Sequence, residues 1–166
     1  MNGEITDLGP RKKSAKIIAQ KLIKEAGVKA APVSLQCIIE HLQLTHDLEV
    51  RRIFTSKKVS GLLVVCSEMD KEYSTIGFNA NDSWYRRRFT IAHEIGHLLF
   101  GHACTKGQGN GSHNEREADV FAAELLIPTK LIKMDFKQLP NLQQLSNLYR
   151  VSQQALTIKL IECRLV

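Results

Sequence analysis

Three ionisable residues stand in the middle of an otherwise apolar stretch, Thr90-Ile-Ala-His-Glu-Ile-Gly-His-Leu-Leu-Phe100. His93 and His97 are four residues apart, so on a helix they share one face, one turn above the other. Two imidazoles about 6 Å apart on one face can both reach a single zinc ion at about 2.0–2.1 Å. Glu94 then projects toward the open side of the metal. There it can take a proton from water and pass it to a leaving amine. This is the division of labour of a metallopeptidase. Burying three such groups without partners is costly, so the rest of the chain has to complete the site.

A third ligand is needed. His102 comes five residues after His97 and is rotated well away on a continued helix, so it reads as a helix-end histidine. Three acids open the next apolar helix, in the segment Glu115-Arg-Glu-Ala-Asp119. Glu115 and Asp119 share a face, whereas Glu117 points about 160° away from Asp119. Glu115 is therefore the expected metal ligand. Asp119, one turn on, is expected to accept the free ring N–H of a ligating histidine and fix its tautomer. Glu117 is the alternative ligand. Acids are common at helix starts in any case; HEIGH gives this pair its metal reading. A glutamate supplied by a second helix is the arrangement of thermolysin-like zincins, the gluzincin pattern.

The elements that must position these residues are legible around them. A first helix is expected after Pro10, with Ile17, Ile18, Leu22 and Ile23 on one face, ending near Gly27. Ser34 is a good N-cap for a second helix with the stripe Leu35, Ile38, Ile39, Leu42. Strands are expected at Leu48–Phe54, Ser60–Cys66 and Tyr73–Asn79, the last two joined as a hairpin through "SEMDKE". The HEIGH helix begins between Ser83 and Arg86, the segment Lys106–Asn114 reads as a loop, and Glu115–Leu126 is a helix stopped by Pro128. Residues from Leu131 onward read as more helix, with a helix-turn-helix-like turn around Val151-Ser152 and Ser152 capping the final helix.

The bulk properties set limits. The 166 residues suit one domain with a proper core. The net charge of +6 is concentrated before residue 30, and without interleaved aromatics it reads as a solvated face. The N-terminus has no signal-peptide core, and no apolar run approaches the roughly 20 residues of a membrane span. Cys37, Cys66, Cys104 and Cys163 are scattered and read as reduced thiols of a cytoplasmic protein. Arg86-Arg-Arg88 opposes the dipole of the helix it starts. It calls for an acidic substrate segment or an internal carboxylate such as Glu124, with Arg88 read as structural and Arg86 as solvated. Tyr85, His113 and Tyr149 are all open as groups that stabilise an oxyanion.

"RRRFTIAHEIGHLLFGH" followed by "NEREADVFAAELLIP" resembles the ImmA/IrrE family of zinc metallopeptidases. The shared positions are Arg88-Phe89, His93 to His97, Glu115, Ala118, Asp119, Phe121, Ala122, Leu125, Leu126 and Pro128. The resemblance implies an α+β, zincin-like core over residues 30–130. In it a small mixed or antiparallel sheet packs on the HExxH helix and a second ligand helix. A helical extension at 131–166 completes a single domain of 1–166. It implies Zn2+ held by His93, His97 and Glu115, with Glu94 as general base. The strand ending at Gly77, Phe78 and Asn79 would be the edge along which a substrate backbone pairs. It implies a cytoplasmic protein substrate, a helix-turn-helix repressor or antitoxin-type regulator cut to switch genes.

The competing reading is a regulatory DNA- or protein-binding component of a toxin-antitoxin or mobile-element system, with a structural or vestigial metal site. A structural zinc normally has four protein ligands; three are in view here, and an intact Glu94 serves no structural need. The final helix offers only Lys159 and Arg164 as cations, few for a recognition helix. Both points favour the enzyme.

Overall fold

The computed structural model describes residues 9–102 and 111–166. Helix α1 spans Gly9–Glu25 and α2 Leu35–Leu42. Strands β1 (Asp47–Ile53), β2 (Gly61–Glu68) and β3 (Lys71–Asn79) follow. Then come α3 (Trp84–Leu99), α4 (Gly111–Leu126), α5 (Thr129–Gln138), α6 (Leu142–Tyr149) and α7 (Gln153–Glu162). The expected Lys106–Asn114 loop lies partly outside the described residues, and α4 starts four residues before Glu115.

The sheet is mixed, in the order β1-β3-β2. β3 is antiparallel to β2, with Gly61 opposite Phe78, and parallel to β1, with Ile53 opposite Asn79. The hairpin turns at Met69 and Asp70, both at positive φ (48 and 63), as a two-residue turn matched to strand twist requires. Period-two alternation puts Leu48, Leu63 and Ile76 on one face, where they are buried and α3 packs. Leu62, Val64 and Tyr73, on the opposite face, are exposed.

α4 packs against α3 on one side and α1 on the other. The α1 contact is made by small residues: Ala15 and Ala19 are fully buried beside Leu22 and Ile23. Ile17, expected on that face, is 53% exposed. It stands about 160° from Ala15 around the helix, and the close approach of two helices selects alanine over a larger side chain.

The last helices are tied to this core by a buried ion pair. Glu124 is 0% exposed and Lys159 2%. Lys159 Nζ donates to Glu124 Oε2 at 2.6 Å, and Gln20 Nε2, Thr129 N and Thr129 Oγ1 donate to the same carboxylate at 2.8, 3.0 and 2.6 Å. Glu124 is thus the partner of Lys159, not of the Arg86–Arg88 cluster. Burial works to raise the Glu124 pKa, but the Lys159 charge and the four donors outweigh it and hold the carboxyl below its ordinary value. A carboxyl depressed by folding stabilises the fold above its unfolded pKa and loses that contribution as pH falls through the folded value.

Glu124→Leu, which leaves buried Lys159 only the more distant Glu162 at 3.7 Å, should cost about 3–5 kcal/mol. Glu124→Leu with Lys159→Met should recover most of that cost. Urea denaturation of both variants checks this. Wild-type stability should also fall with acid below pH 4.5, the ordinary carboxyl value, and this fall should be shallower in the double variant.

Candidate metal centre

Ser83 Oγ accepts the N–H of Arg86 at 3.4 Å and starts α3. The helix buries Ala92, Ile95 and Leu98, which turns Thr90, His93, Glu94 and His97 to the opposite side. α4 comes very close. A Cβ at Gly96 would stand 3.1 Å from Phe121 Cδ1 and 3.2 Å from Ala118 Cα. The glycine of HEIGH is therefore a packing requirement, and it lets short carboxylates on α4 reach imidazoles on α3.

Three side chains converge. His93 Nε2 is 2.9 Å from His97 Nε2 and 3.1 Å from Glu115 Oε2, and His97 Nε2 is 3.2 Å from Glu115 Oε1. The outer ring nitrogens are held by other groups. His93 Nδ1 faces Asp119 Oδ1 at 2.9 Å, and His97 Nδ1 faces His102 Nδ1 at 3.0 Å. His102 Nε2 faces Glu117 Oε2 at 3.1 Å.

Proton bookkeeping shows what the centre wants. Asp119 is an acceptor only, so His93 Nδ1 carries a hydrogen and its neutral ring has a lone pair at Nε2. Glu117 likewise places a hydrogen on His102 Nε2, so neutral His102 accepts at Nδ1 and His97 Nδ1 donates. His97 Nε2 is then a lone pair as well. Two nitrogen lone pairs and a carboxylate meet with no hydrogen between them, an arrangement that calls for a cation. Tetrahedral zinc with bonds of about 2.0–2.1 Å sets its ligand atoms about 3.3 Å apart, close to the separations found. His93, His97 and Glu115 thus fit a metal by both chemistry and spacing.

The ring environments differ. Burial first, then the neighbouring His93, push His97 down to about 4, against the pull of Glu115. Burial also works to lower His93, but the Asp119 hydrogen bond and the charges of Asp119, Glu115 and Glu94 raise it overall. In the metal-free protein a proton on His93 is the other way to fill the centre, so acid competes with metal.

Glu94 lies beside this group, 9% exposed. Burial pushes its pKa up to about 7, with His93 opposing and Glu115 assisting. It borders a cleft of about 530 Å3 lined also by Lys58, Val59, Ser60, Gly61, Phe89 and Thr90. A Cβ at Gly61 would stand 2.3 Å from Thr90 Cγ2 and 2.9 Å from Glu94 Oε1. The backbone at the start of β2 thus rests directly on Glu94. Sequence reasoning misses Gly61, whose one signal is that of an isolated glycine at the start of a strand pattern.

The structure brings Glu115, not Glu117, to His93 and His97, and puts Asp119 on His93. Gly77, Phe78 and Asn79 are not at a sheet edge. β3 is the central strand, paired on both sides, so its backbone cannot also pair with a substrate. The outer strand beside the cleft is β2. Asn79 instead braces a loop. Its buried Nδ2 lies 3.3, 3.2 and 2.9 Å from the carbonyls of Thr55, Ser56 and Val59. It holds the crossover from β1 to β2 that carries Lys58–Gly61 to the cleft.

Arg88 is structural, donating to Val33 O at 3.0 Å and lying over the Trp84 ring. Arg86 is exposed but anchored, with Nε donating to Ser60 Oγ at 2.8 Å and 3.4 Å from Asp82 Oδ2. Tyr149 is buried and donates to Asp135 Oδ2 at 2.6 Å. Tyr85, His113 and Tyr149 do not line the cleft.

An HExxH helix and a glutamate-bearing helix beside a small mixed sheet make a zincin-like α+β fold. Residues 45–160 match the family model for the IrrE N-terminal-like domain, Peptidase_M78, and the chain belongs to that family. A solved structure of a Mycobacterium tuberculosis transcriptional regulator shares the fold, with a TM-score of 0.63 and 13% identity. The match covers 88% of this chain and 46% of that one, so this chain spans about half the length of that regulator. Comparison with curated proteins gave no significant match.

If the centre hydrolyses peptides, Gly61→Ala should displace Glu94 and lower turnover by about 100-fold, the cost of a misplacement near 1 Å. Its zinc content should equal that of the wild type, because the atoms the new methyl group meets first belong to Thr90, Glu94 and Gly77, none of them a candidate ligand. Metal analysis beside single-turnover kinetics checks both halves.

Proposed function

We propose that the protein is a zinc-dependent endopeptidase acting on a helix-turn-helix repressor or antitoxin-type regulator. The observation that carries the metal half is the meeting of three acceptor groups, on His93, His97 and Glu115, beside a buried acid, Glu94. Three protein ligands leave a coordination position open, as catalytic zinc sites do.

Zinc, when bound there, supplies a Lewis acid that polarises a carbonyl and acidifies water. Glu94 accepts the proton of the attacking water and delivers it to the departing amine, and a pKa near neutrality suits both transfers. Asp119 and the hydrogen bonds on the outer ring nitrogens keep the two imidazoles in the tautomer that ligation needs. The backbone at Ser60 and Gly61, at the start of β2, borders the cleft where an extended peptide would lie. The regulator as substrate follows from the resemblance to ImmA/IrrE members paired with repressors. We place the reaction in the cytoplasm, where the free Cys37, Cys66 and Cys163 would stay reduced.

The DNA-binding reading loses support. α6 and α7 do have helix-turn-helix spacing, with Arg150 in the left-handed region and Ser152 Oγ capping α7 through Ala155 N at 3.1 Å. However, Lys159 is buried on Glu124, and Ile158 and Ile161 are 61% and 59% exposed on the same helix. Phosphate binding needs exposed cations there.

Glu94→Gln should retain about one zinc per chain and lose at least about 100-fold in cleavage rate. The test substrate is the helix-turn-helix regulator encoded beside the gene. Regulator bound tightly but left intact by wild-type zinc protein would defeat the peptidase reading and favour a binding role.

A further inference from the structure

We propose that His102 and Glu117 form a relay that orients His97 on the metal. One short helical segment, Glu115 to Asp119, then serves the whole centre: Glu115 as ligand, Asp119 on His93, and Glu117 on His97 through His102. This rests on the zinc-site reading above.

The backbone builds the relay. α3 ends with Phe100 as its C-cap, and Gly101 follows at φ +62. The His102 N–H bonds to His97 O at 3.0 Å, and the Gly101 N–H to Leu98 O at 3.2 Å. This is the Schellman closure, which depends on a residue that tolerates positive φ. It reverses the chain and lays His102 back over His97, with ring centroids 5.1 Å apart. A continued helix would have carried residue 102 away, which is why its sequence position hid the contact.

The surroundings hold the pair in place. His102 and Glu117 side chains are 10% and 12% exposed. Phe100 packs on the His102 ring at 5.3 Å and on Phe121 at 5.8 Å. Glu117 points away from Asp119 around α4, and that direction brings it to His102. The hydrogens run one way, from His97 Nδ1 to His102 Nδ1 and from His102 Nε2 to Glu117. Reversing the His102 tautomer would set an N–H against the N–H of His97 and a lone pair against Glu117. With His102 neutral, the chain therefore favours one tautomer of His97, the one whose Nε2 can bind metal. Partners of this kind typically change metal affinity by about 10–100-fold.

The test is zinc affinity, by competition with a chromogenic chelator, together with the visible spectrum of the Co2+ form. His102→Phe keeps the ring and removes the acceptor, and should weaken zinc by about 10–100-fold. His102→Asn places an amide oxygen near the position of Nδ1 and should recover most of the loss. Glu117→Gln, which keeps an acceptor but drops the charge, should fall between them. Melting of the metal-free proteins shows whether each variant is folded. Phe and wild type binding zinc equally, or Phe and Asn failing equally, would overturn the relay while leaving the metal site standing. A wild type that takes up no zinc would overturn the metal-site reading and the relay with it.

Discussion

Everything at the centre depends on how closely α3 and α4 approach at Gly96 and Ala118. Carboxylate side chains are short, and the acids that serve the histidines are all on α4. A methyl group at Gly96 would meet Phe121 and the Ala118 backbone at 3.1–3.2 Å, so these neighbours would have to give way. Any separation of the helices would lengthen the reach of Glu115, Glu117 and Asp119 together. The same contact buries Phe121, Ala118 and Ala122 completely. On the metal reading, packing and the spacing of the ligands are therefore coupled, and a core substitution would be felt as a change in metal affinity. Groups held on two packed helices are also more rigid than groups on loops.

Much of this was legible because it is local. The HEIGH helix, its Ser83 start, the Ser34 cap, the three strands and the hairpin all follow from spacing within a few residues. So does the expectation that Glu115 rather than Glu117 faces His93 and His97, since both angles belong to one helix. What stayed hidden involves contacts between elements far apart in the chain. Ile17 is apolar and helical but faces outward, because the alanines make the α1–α4 contact. Lys159 looks like a surface cation until α7 is seen to bury it on Glu124. Asn79 looks like the end of an edge strand because neither the strand order nor the path of residues 54–60 is encoded locally.

The charge pattern is settled in the same way. An excess of six positive charges suggests an interaction face, yet the charges that matter most to the architecture are tied to other parts of the chain. Glu124 and Lys159 are hidden and mutually satisfied, Arg88 braces the chain before α2, and Arg86 fastens the crossover through Ser60. Two of the three arginines at the start of α3 thus have their side chains fixed on other segments. α4 carries acids of both kinds, the histidine-facing ones in its first turns and the lysine-bound Glu124 further along.

The Asn79 amide has a consequence for how a protein could be cut here. It faces three carbonyls of the crossover with only two hydrogens to give, so that wall of the cleft is braced by shared bonds. A braced wall leaves more of the accommodation to the visitor. On the peptidase reading, a folded domain would be safe for as long as it stayed folded, and its rate of destruction would track the population of its locally opened form. Selectivity would then be written partly in the stability of the regulator, and anything that loosened one of its segments would mark it for cleavage without any change in the enzyme.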